Sequence, residues 1–150
     1  MSKLILRKAD DMHIHLRQGT ILEQVLEQTI PQVARAIVMP NTDPAIENAS
    51  DVANYRQNIK DALARINKRL GKNYNFEPLM TFKVLPSTSV ASIKELKESG
   101  VTAGKLYPQG VTTNSEQGVK NFNSLYPIYE AMMLKIWFYA SMEKSQMPFA

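Results

Sequence analysis

The stretch "DDMHIHLR", Asp10 to Arg17, places two acids, two histidines and an arginine within eight residues, with apolar residues between them. This alternation predicts a β-strand, in which successive side chains point to opposite faces. One face would carry Met12, Ile14 and Leu16, and the other would carry Asp11, His13, His15 and Arg17. The first face is suited to packing and the second to chemistry.

Short apolar runs alternate with amphipathic segments along the rest of the chain. After the first strand, the pattern predicts strands at 34–39, 76–85, 101–108 and 136–140, and helices at 21–30, 51–70, 89–99 and 123–134. The longest helix is predicted to be capped by Ser50 and to stop at Gly71. Such alternation is typical of parallel βαβ units, which places the chain in the α/β class.

The length of the chain limits how much of such a fold it can form. A complete (β/α)₈ barrel takes about 250 residues, and this chain has 150. We therefore expect residues 1–150 to form one partial TIM-like barrel, with strands 1 to about 5 and no second domain. Its two open edges would need a second copy or a partner to cover them.

Composition narrows the classes of function. The chain has no cysteine, which excludes disulfides and thiolate metal sites and favours a cytoplasmic location. The apolar run from Met132 to Met142 contains Lys135 and is shorter than the roughly 20 residues of a membrane span. The net charge is +4, and the basic residues Arg56, Lys60, Lys68 and Lys72 have the spacing of a solvated helix face. Neither a nucleic acid nor a membrane is therefore predicted as a partner.

Three short motifs carry residues suited to catalysis. The spacing of His13 and His15 puts both imidazoles on one side of a strand, where they could share one divalent cation. In "GKLYP", Lys105 is an ion-pair partner, an edge residue or a desolvated amine that can react with carbon dioxide. In "VMPNT", Asn41 is a turn residue or, at the carboxyl end of a parallel strand, a ligand contact.

Taken together, "DDMHIHLR", "VMPNTDPAI", "GKLYP" and "GVTTNS" resemble the dihydroorotase family of the amidohydrolase superfamily. That family interconverts L-dihydroorotate and N-carbamoyl-L-aspartate in pyrimidine biosynthesis. The resemblance implies that His13 and His15 bind zinc and that Lys105 is carbamylated and bridges two zinc ions. It also implies that Arg17 and Asn41 hold the substrate carboxylate. The segment around Thr112 and Thr113 is interpreted as loop structure.

The resemblance also implies that the site is incomplete. The family completes its two-zinc site with two more histidines and an aspartate from later strands, whereas this sequence has two histidines in total. Ser141-Met142-Glu143 stands where the family has His-Gly-Glu. We therefore expect the chain alone to bind one zinc ion or none and to be inactive by itself. Its tail, "KIWFYASMEKSQMPFA", is either diverged family sequence or sequence read in a wrong frame.

Two other functions fit part of this pattern. A cyclic-amide hydrolase of the dihydropyrimidinase or allantoinase type shares the histidine pair and the lysine. Arg17 and the "MPNT" segment favour dihydroorotase, because a guanidinium and an amide suit a carboxylated small-molecule substrate. The other alternative is a truncated, non-catalytic module that binds a partner, or another copy of itself, through its open half-barrel.

Overall fold

In a computed structural model, the chain forms parallel strands joined by helices. The structure describes residues 4–110, residues 117–133 and the backbone of 137–140. The strands are β1 (Ala9–Ile14), β2 (Val33–Val38), β3 (Glu77–Val84), β4 (Ala103–Leu106) and β5 (Trp137–Ala140). The helices are α1 (Gly19–Thr29), α2 (Ala49–Leu70), α3 (Val90–Glu98) and α4 (Tyr126–Met133), with a 3₁₀ turn at Phe122–Leu125 before α4.

The strands lie side by side in the order in which they occur in the sequence. The sheet order is β1-β2-β3-β4-β5, and every neighbouring pair is parallel. In a doubly wound sheet the order reverses, and helices cover both faces. Here α1 packs against α2, α2 against α3, and α3 against α4, which makes a single row of helices. The predicted α/β half-barrel is confirmed.

The face of the sheet that meets the helices holds the core. Strand residues on this face include Val38, Met80, Phe82, Val84 and Leu106, each at most 3% exposed. The helices bury their apolar stripes against them; those of α2 include Val52, Tyr55, Ile59 and Ile66. Because each such side chain contributes about 1.5–3 kcal/mol when fully buried, this layer dominates the stability of the fold.

The ends of α2 show how local sequence fixes a helix. The N-cap is Asn48, whose side chain accepts a hydrogen bond from Asp51 N (2.9 Å), while the Asp51 carboxylate accepts from Asn48 N (3.2 Å). The prediction of Ser50 as the cap was wrong, because this reciprocal pair starts the helix two residues earlier than expected. Gly71 ends the helix in the left-handed conformation, at φ 59°, as predicted.

The first strand is shorter than its alternating pattern suggests. β1 ends at Ile14, whereas the pattern predicted a strand through Arg17. Leu16 is 0% exposed and belongs to the core, and Arg17 has a φ of 63°. A left-handed residue cannot continue an extended strand, so Arg17 lies in the turn between β1 and α1.

Candidate metal and carboxylate site at the carboxyl ends of the strands

The face of the sheet turned away from the helices carries buried polar side chains. Lys83 and Lys105 are 4% and 2% exposed, and they are paired in register between β3 and β4, so they share this inner face. Both ammonium groups lie over the ring of Tyr107, with Nζ 5.8 Å from its centroid for Lys83 and 5.1 Å for Lys105. The inner face is therefore chemically distinct from the helix-covered one.

The structure brings three of the sequence-predicted site residues together. His13 Nε2 and His15 Nε2 are 3.1 Å apart, with ring centroids separated by 5.1 Å. Lys105 Nζ lies 3.3 Å from His13 Nε2, although the two residues are 92 positions apart in sequence. Because β1 and β4 are not neighbours in the sheet, this contact crosses the concave side of the curled strands.

Burial and the charge of Lys105 lower the pKa of both imidazoles and so favour their neutral forms. Burial lowers the pKa of His13, and the charge of Lys105 lowers it further, against a smaller opposite effect of Asp11. For His15, burial followed by the charge of Lys105 lowers the pKa to about 4. Neutral imidazole is the form that coordinates a metal.

The donor set fits a divalent cation. Two nitrogen ligands at 2.0–2.1 Å from a tetrahedral zinc ion are separated by about 3.3 Å, close to the 3.1 Å between His13 Nε2 and His15 Nε2. Among the described residues, no group of three or more His, Cys, Asp or Glu side chains is placed to hold a metal. Beside the two imidazoles lies Lys105, whose Nζ is 3.3 Å from His13 Nε2.

The Lys105 side chain is buried among a sulfur atom, an imidazole and an aromatic ring. Its Nζ lies 3.0 Å from the sulfur of Met39, besides its contacts with His13 and the ring of Tyr107. Desolvated lysines are the ones that proteins use for covalent chemistry. Lys105 is itself desolvated, and the role that the family resemblance implies for it stays a prediction.

Asn41 and Arg17 lie in the loops that follow β2 and β1. The Asn41 side chain interacts with His15, which partly opposes the lowering of that pKa, and the guanidinium charge of Arg17 lowers it. Asn41 Oδ1 is buried and has no hydrogen-bond partner among the described residues. A buried acceptor of this kind marks a place where a donor can bind.

Hydrogen bonds hold the loop that carries Asn41 close to β1 and β3. Met39 N donates to Ile14 O (2.9 Å), Ile46 N donates to Pro40 O (3.0 Å), and Lys83 N donates to Ile46 O (2.7 Å). The loop is thus fixed to the two strands on either side of β2. Asn41 is held at the same edge of the sheet as the histidines.

Sequence reasoning missed Lys83. It is the one charged residue in the apolar run "LMTFKVL" of β3, which is the same signal that singled out Lys105 in β4. Its alternation with Thr81, also buried at 1% exposed, would have placed it on the inner face. The predicted match of Ser141-Met142-Glu143 and the loop at Thr112 and Thr113 lie outside the described residues.

A single row of helices around a curled parallel sheet, with ligand-type side chains at the carboxyl ends of its strands, defines part of an amidohydrolase-type barrel. Comparison with known proteins specifies the family further. The chain is 44% identical over 133 residues to the dihydroorotase of Agrobacterium fabrum. It is also 44% identical over 131 residues to that of Azotobacter vinelandii. These alignments cover 88% and 87% of this chain and 36% of each relative.

Solved structures agree with these relatives. A dihydroorotase from Campylobacter jejuni matches with a TM-score of 0.78 at 32% identity, covering 93% of this chain and 39% of that one. A dihydroorotase from Saccharomyces cerevisiae, in complex with 5-fluoroorotic acid, matches with a TM-score of 0.76 at 26% identity, covering 95% and 40%. No family model matches the sequence.

The chain is a dihydroorotase homologue that spans about 36% of the length of its curated relatives. The resemblance inferred from the four motifs is thereby confirmed. Among the described helices, none has the length and apolarity needed to cross a membrane.

Proposed function

We propose that this chain supplies the first metal ligands and the carboxylate contacts of a zinc-dependent dihydroorotase site. The reaction is the interconversion of L-dihydroorotate and N-carbamoyl-L-aspartate. The observation that supports this proposal is the cluster of His13, His15 and Lys105. His13 Nε2 lies 3.1 Å from His15 Nε2 and 3.3 Å from Lys105 Nζ. Its location at the carboxyl ends of parallel strands is where such barrels carry out chemistry.

Each residue of the cluster has a distinct task in this proposal. His13 and His15 would hold zinc through their neutral imidazoles. The Lys105 ammonium would first lose one proton; the neutral amine would then form an N–C bond with carbon dioxide and release a second proton, giving an anionic carbamate with two ligand oxygens. Bound zinc supplies Lewis acidity toward the amide carbonyl and toward water.

Arg17 and Asn41 would orient the substrate. A guanidinium offers a planar pair of donors that matches a carboxylate, and the Asn41 amide adds a further hydrogen-bonding group. Both lie at the mouth of the half-barrel beside His15. This arrangement favours a carboxylated substrate over the substrates of dihydropyrimidinase- or allantoinase-type enzymes.

The number of metal ions follows from the residues present. The 150 residues contain two histidines, so we propose that they bind one zinc ion at most by themselves and that turnover requires further ligands from outside them. Association through the open half-barrel and a cytoplasmic location stay predictions of the same account. The alternative function, a truncated, non-catalytic module that binds a partner, makes a different prediction: such a module would bind neither zinc nor substrate at this cluster.

Substrate binding and turnover test this function. The purified chain, with added zinc and at high protein concentration, would be assayed for dihydroorotate hydrolysis and for calorimetric binding of N-carbamoyl-L-aspartate. We expect binding that depends on zinc and is lost in Arg17→Met, with little turnover by the monomer. Arg56→Met, on α2 with its guanidinium bonded to Ser99 O and Gly100 O, is the control. Ligand binding that is equal in the parent and in Arg17→Met would refute the assignment.

A further inference from the structure

The turn between β1 and α1 contains a residue in an unfavourable backbone conformation. Arg17 has a φ of 63°, in the left-handed region that non-glycine residues rarely adopt. Gly19, two residues later, has a similar φ of 61°, but it has no Cβ to strain. A left-handed arginine persists only where its surroundings hold it there.

A buried tyrosine of α2 contacts this turn directly. The Tyr55 hydroxyl donates a hydrogen bond to Arg17 O at 2.6 Å, across 38 positions of sequence, and Tyr55 is 2% exposed. Burial raises the pKa of Tyr55, so the hydroxyl stays a donor throughout the neutral range. The preceding residue, Leu16, is 0% exposed in the same core. The turn is therefore fixed at two successive residues.

The conformation of Arg17 decides where its side chain points. A change from the left-handed to the right-handed helical region rotates φ by about 120°, which would swing the side chain away from its present direction relative to β1. In the present conformation the guanidinium charge acts on His15, whose pKa it lowers. The side chain itself is exposed, so the backbone rather than side-chain packing sets its direction.

We propose that Tyr55 is a positioning residue: its buried hydroxyl holds Arg17 in the left-handed conformation that directs the guanidinium to the substrate carboxylate. This inference rests on the proposed function of Arg17. It extends the site from the mouth of the half-barrel to Tyr55, on a helix of the outer layer. A purely structural Tyr55 would contribute to stability without affecting the direction of Arg17.

The test compares Tyr55→Phe with a matched control, Tyr74→Phe. Tyr74 is half-buried against the same core and hydrogen-bonds through its backbone N and O to the side chain of Asn67, so removing its hydroxyl leaves those bonds intact. Two readouts are needed. One is the conformation of Arg17 from NMR backbone couplings and Cα shifts, and the other is calorimetric affinity for N-carbamoyl-L-aspartate in the presence of zinc.

In Tyr55→Phe we expect Arg17 to leave the left-handed region and ligand affinity to fall about five- to tenfold, the usual effect of one hydrogen bond on an equilibrium. Tyr74→Phe should change neither readout. An unchanged Arg17 conformation in Tyr55→Phe, or a changed conformation with full affinity, overturns the proposal. The parent chain gives a further test, because a right-handed coupling for Arg17 there overturns it without any variant.

The two proposals can fail separately. A parent chain that binds no N-carbamoyl-L-aspartate would contradict the proposed function. The Arg17 couplings in the parent and in Tyr55→Phe would still decide whether Tyr55 holds the turn.

Discussion

The two faces of the sheet are built from the same strands and differ in almost every other respect. The outer face is apolar, covered by helices and closely packed around Phe82 and Met80. The inner face buries Lys83 and Lys105 and meets the imidazole of His13. Because burying charged groups rarely adds stability, the comparison teaches that the outer face specifies the fold, whereas the inner face carries the candidate site.

The largest effect on stability is expected when a large side chain is removed from the outer face, and this variant tests the difference between the two faces most strongly. Phe82 is 0% exposed, and Phe82→Ala is expected to lower the free energy of unfolding by about 3–5 kcal/mol through lost burial and a cavity. Urea denaturation measures it. Leu4→Ala, at a position 80% exposed, is the control and should have little effect. A loss below about 1 kcal/mol for Phe82→Ala would contradict the role of the outer face.

A smaller effect is expected at the helix cap of the outer layer. Asn48→Ala removes the acceptor of the Asp51 N–H and should lower the free energy of unfolding by about 1 kcal/mol. Ser50→Ala, the cap that sequence reasoning had favoured, should be close to neutral. Equal losses in the two variants would mean that Asn48 does not cap α2.

On the inner face, removing the buried charge of Lys105 should change the free energy of unfolding little and weaken zinc binding. Lys105→Met replaces a buried amine by an apolar side chain of similar length, so we expect a stability change within about 1 kcal/mol. Zinc binding should weaken strongly. Lys83→Met, on the same face, is the matched control and should keep zinc binding. A destabilisation by Lys105→Met as large as that of Phe82→Ala would erase the distinction between the faces.

The smallest effect is expected at the exposed edge of β1. Asp10 pairs with Arg35, which holds the pKa of the Asp10 carboxyl below its usual value. A lowered folded pKa contributes stability above the unfolded pKa, and that contribution is lost as pH falls through the folded value. Asp10→Asn should therefore lower the melting temperature slightly at neutral pH, with the difference shrinking in acid. A difference that grows in acid would contradict the pairing.

Much of the fold could be predicted because it depends on local patterns. Hydrophobic periodicity located α2 and β3, and Gly71 marked a helix end through its backbone freedom. The end of β1 could not be predicted, because it depends on the burial of Leu16 and on a hydrogen bond from Tyr55, 38 positions away from Arg17. Strand periodicity carries no information about such a distant contact.

The sequence predicted those parts of the candidate site whose residues lie close together in the chain. His13 and His15 are two positions apart, so strand geometry alone predicted their proximity. The parallel α/β pattern predicted only that Lys105 lies at the carboxyl ends of the strands. Its meeting with the histidines, which the structure shows between Lys105 and His13 across 92 positions, was implied by the family resemblance. Lys83 lies outside those motifs, and sequence reasoning missed it although its strand carried the same signal.

Zinc titration by calorimetry tests the central claim most directly, namely that the inner face carries a metal site. It would be run on the parent chain, on the double variant His13→Ala and His15→Ala, and on Lys83→Met. The account predicts no more than one zinc ion per parent chain, the same for Lys83→Met, and none for the double variant. Zinc binding by the double variant that equals that of the parent would contradict it, because the metal would then lie elsewhere.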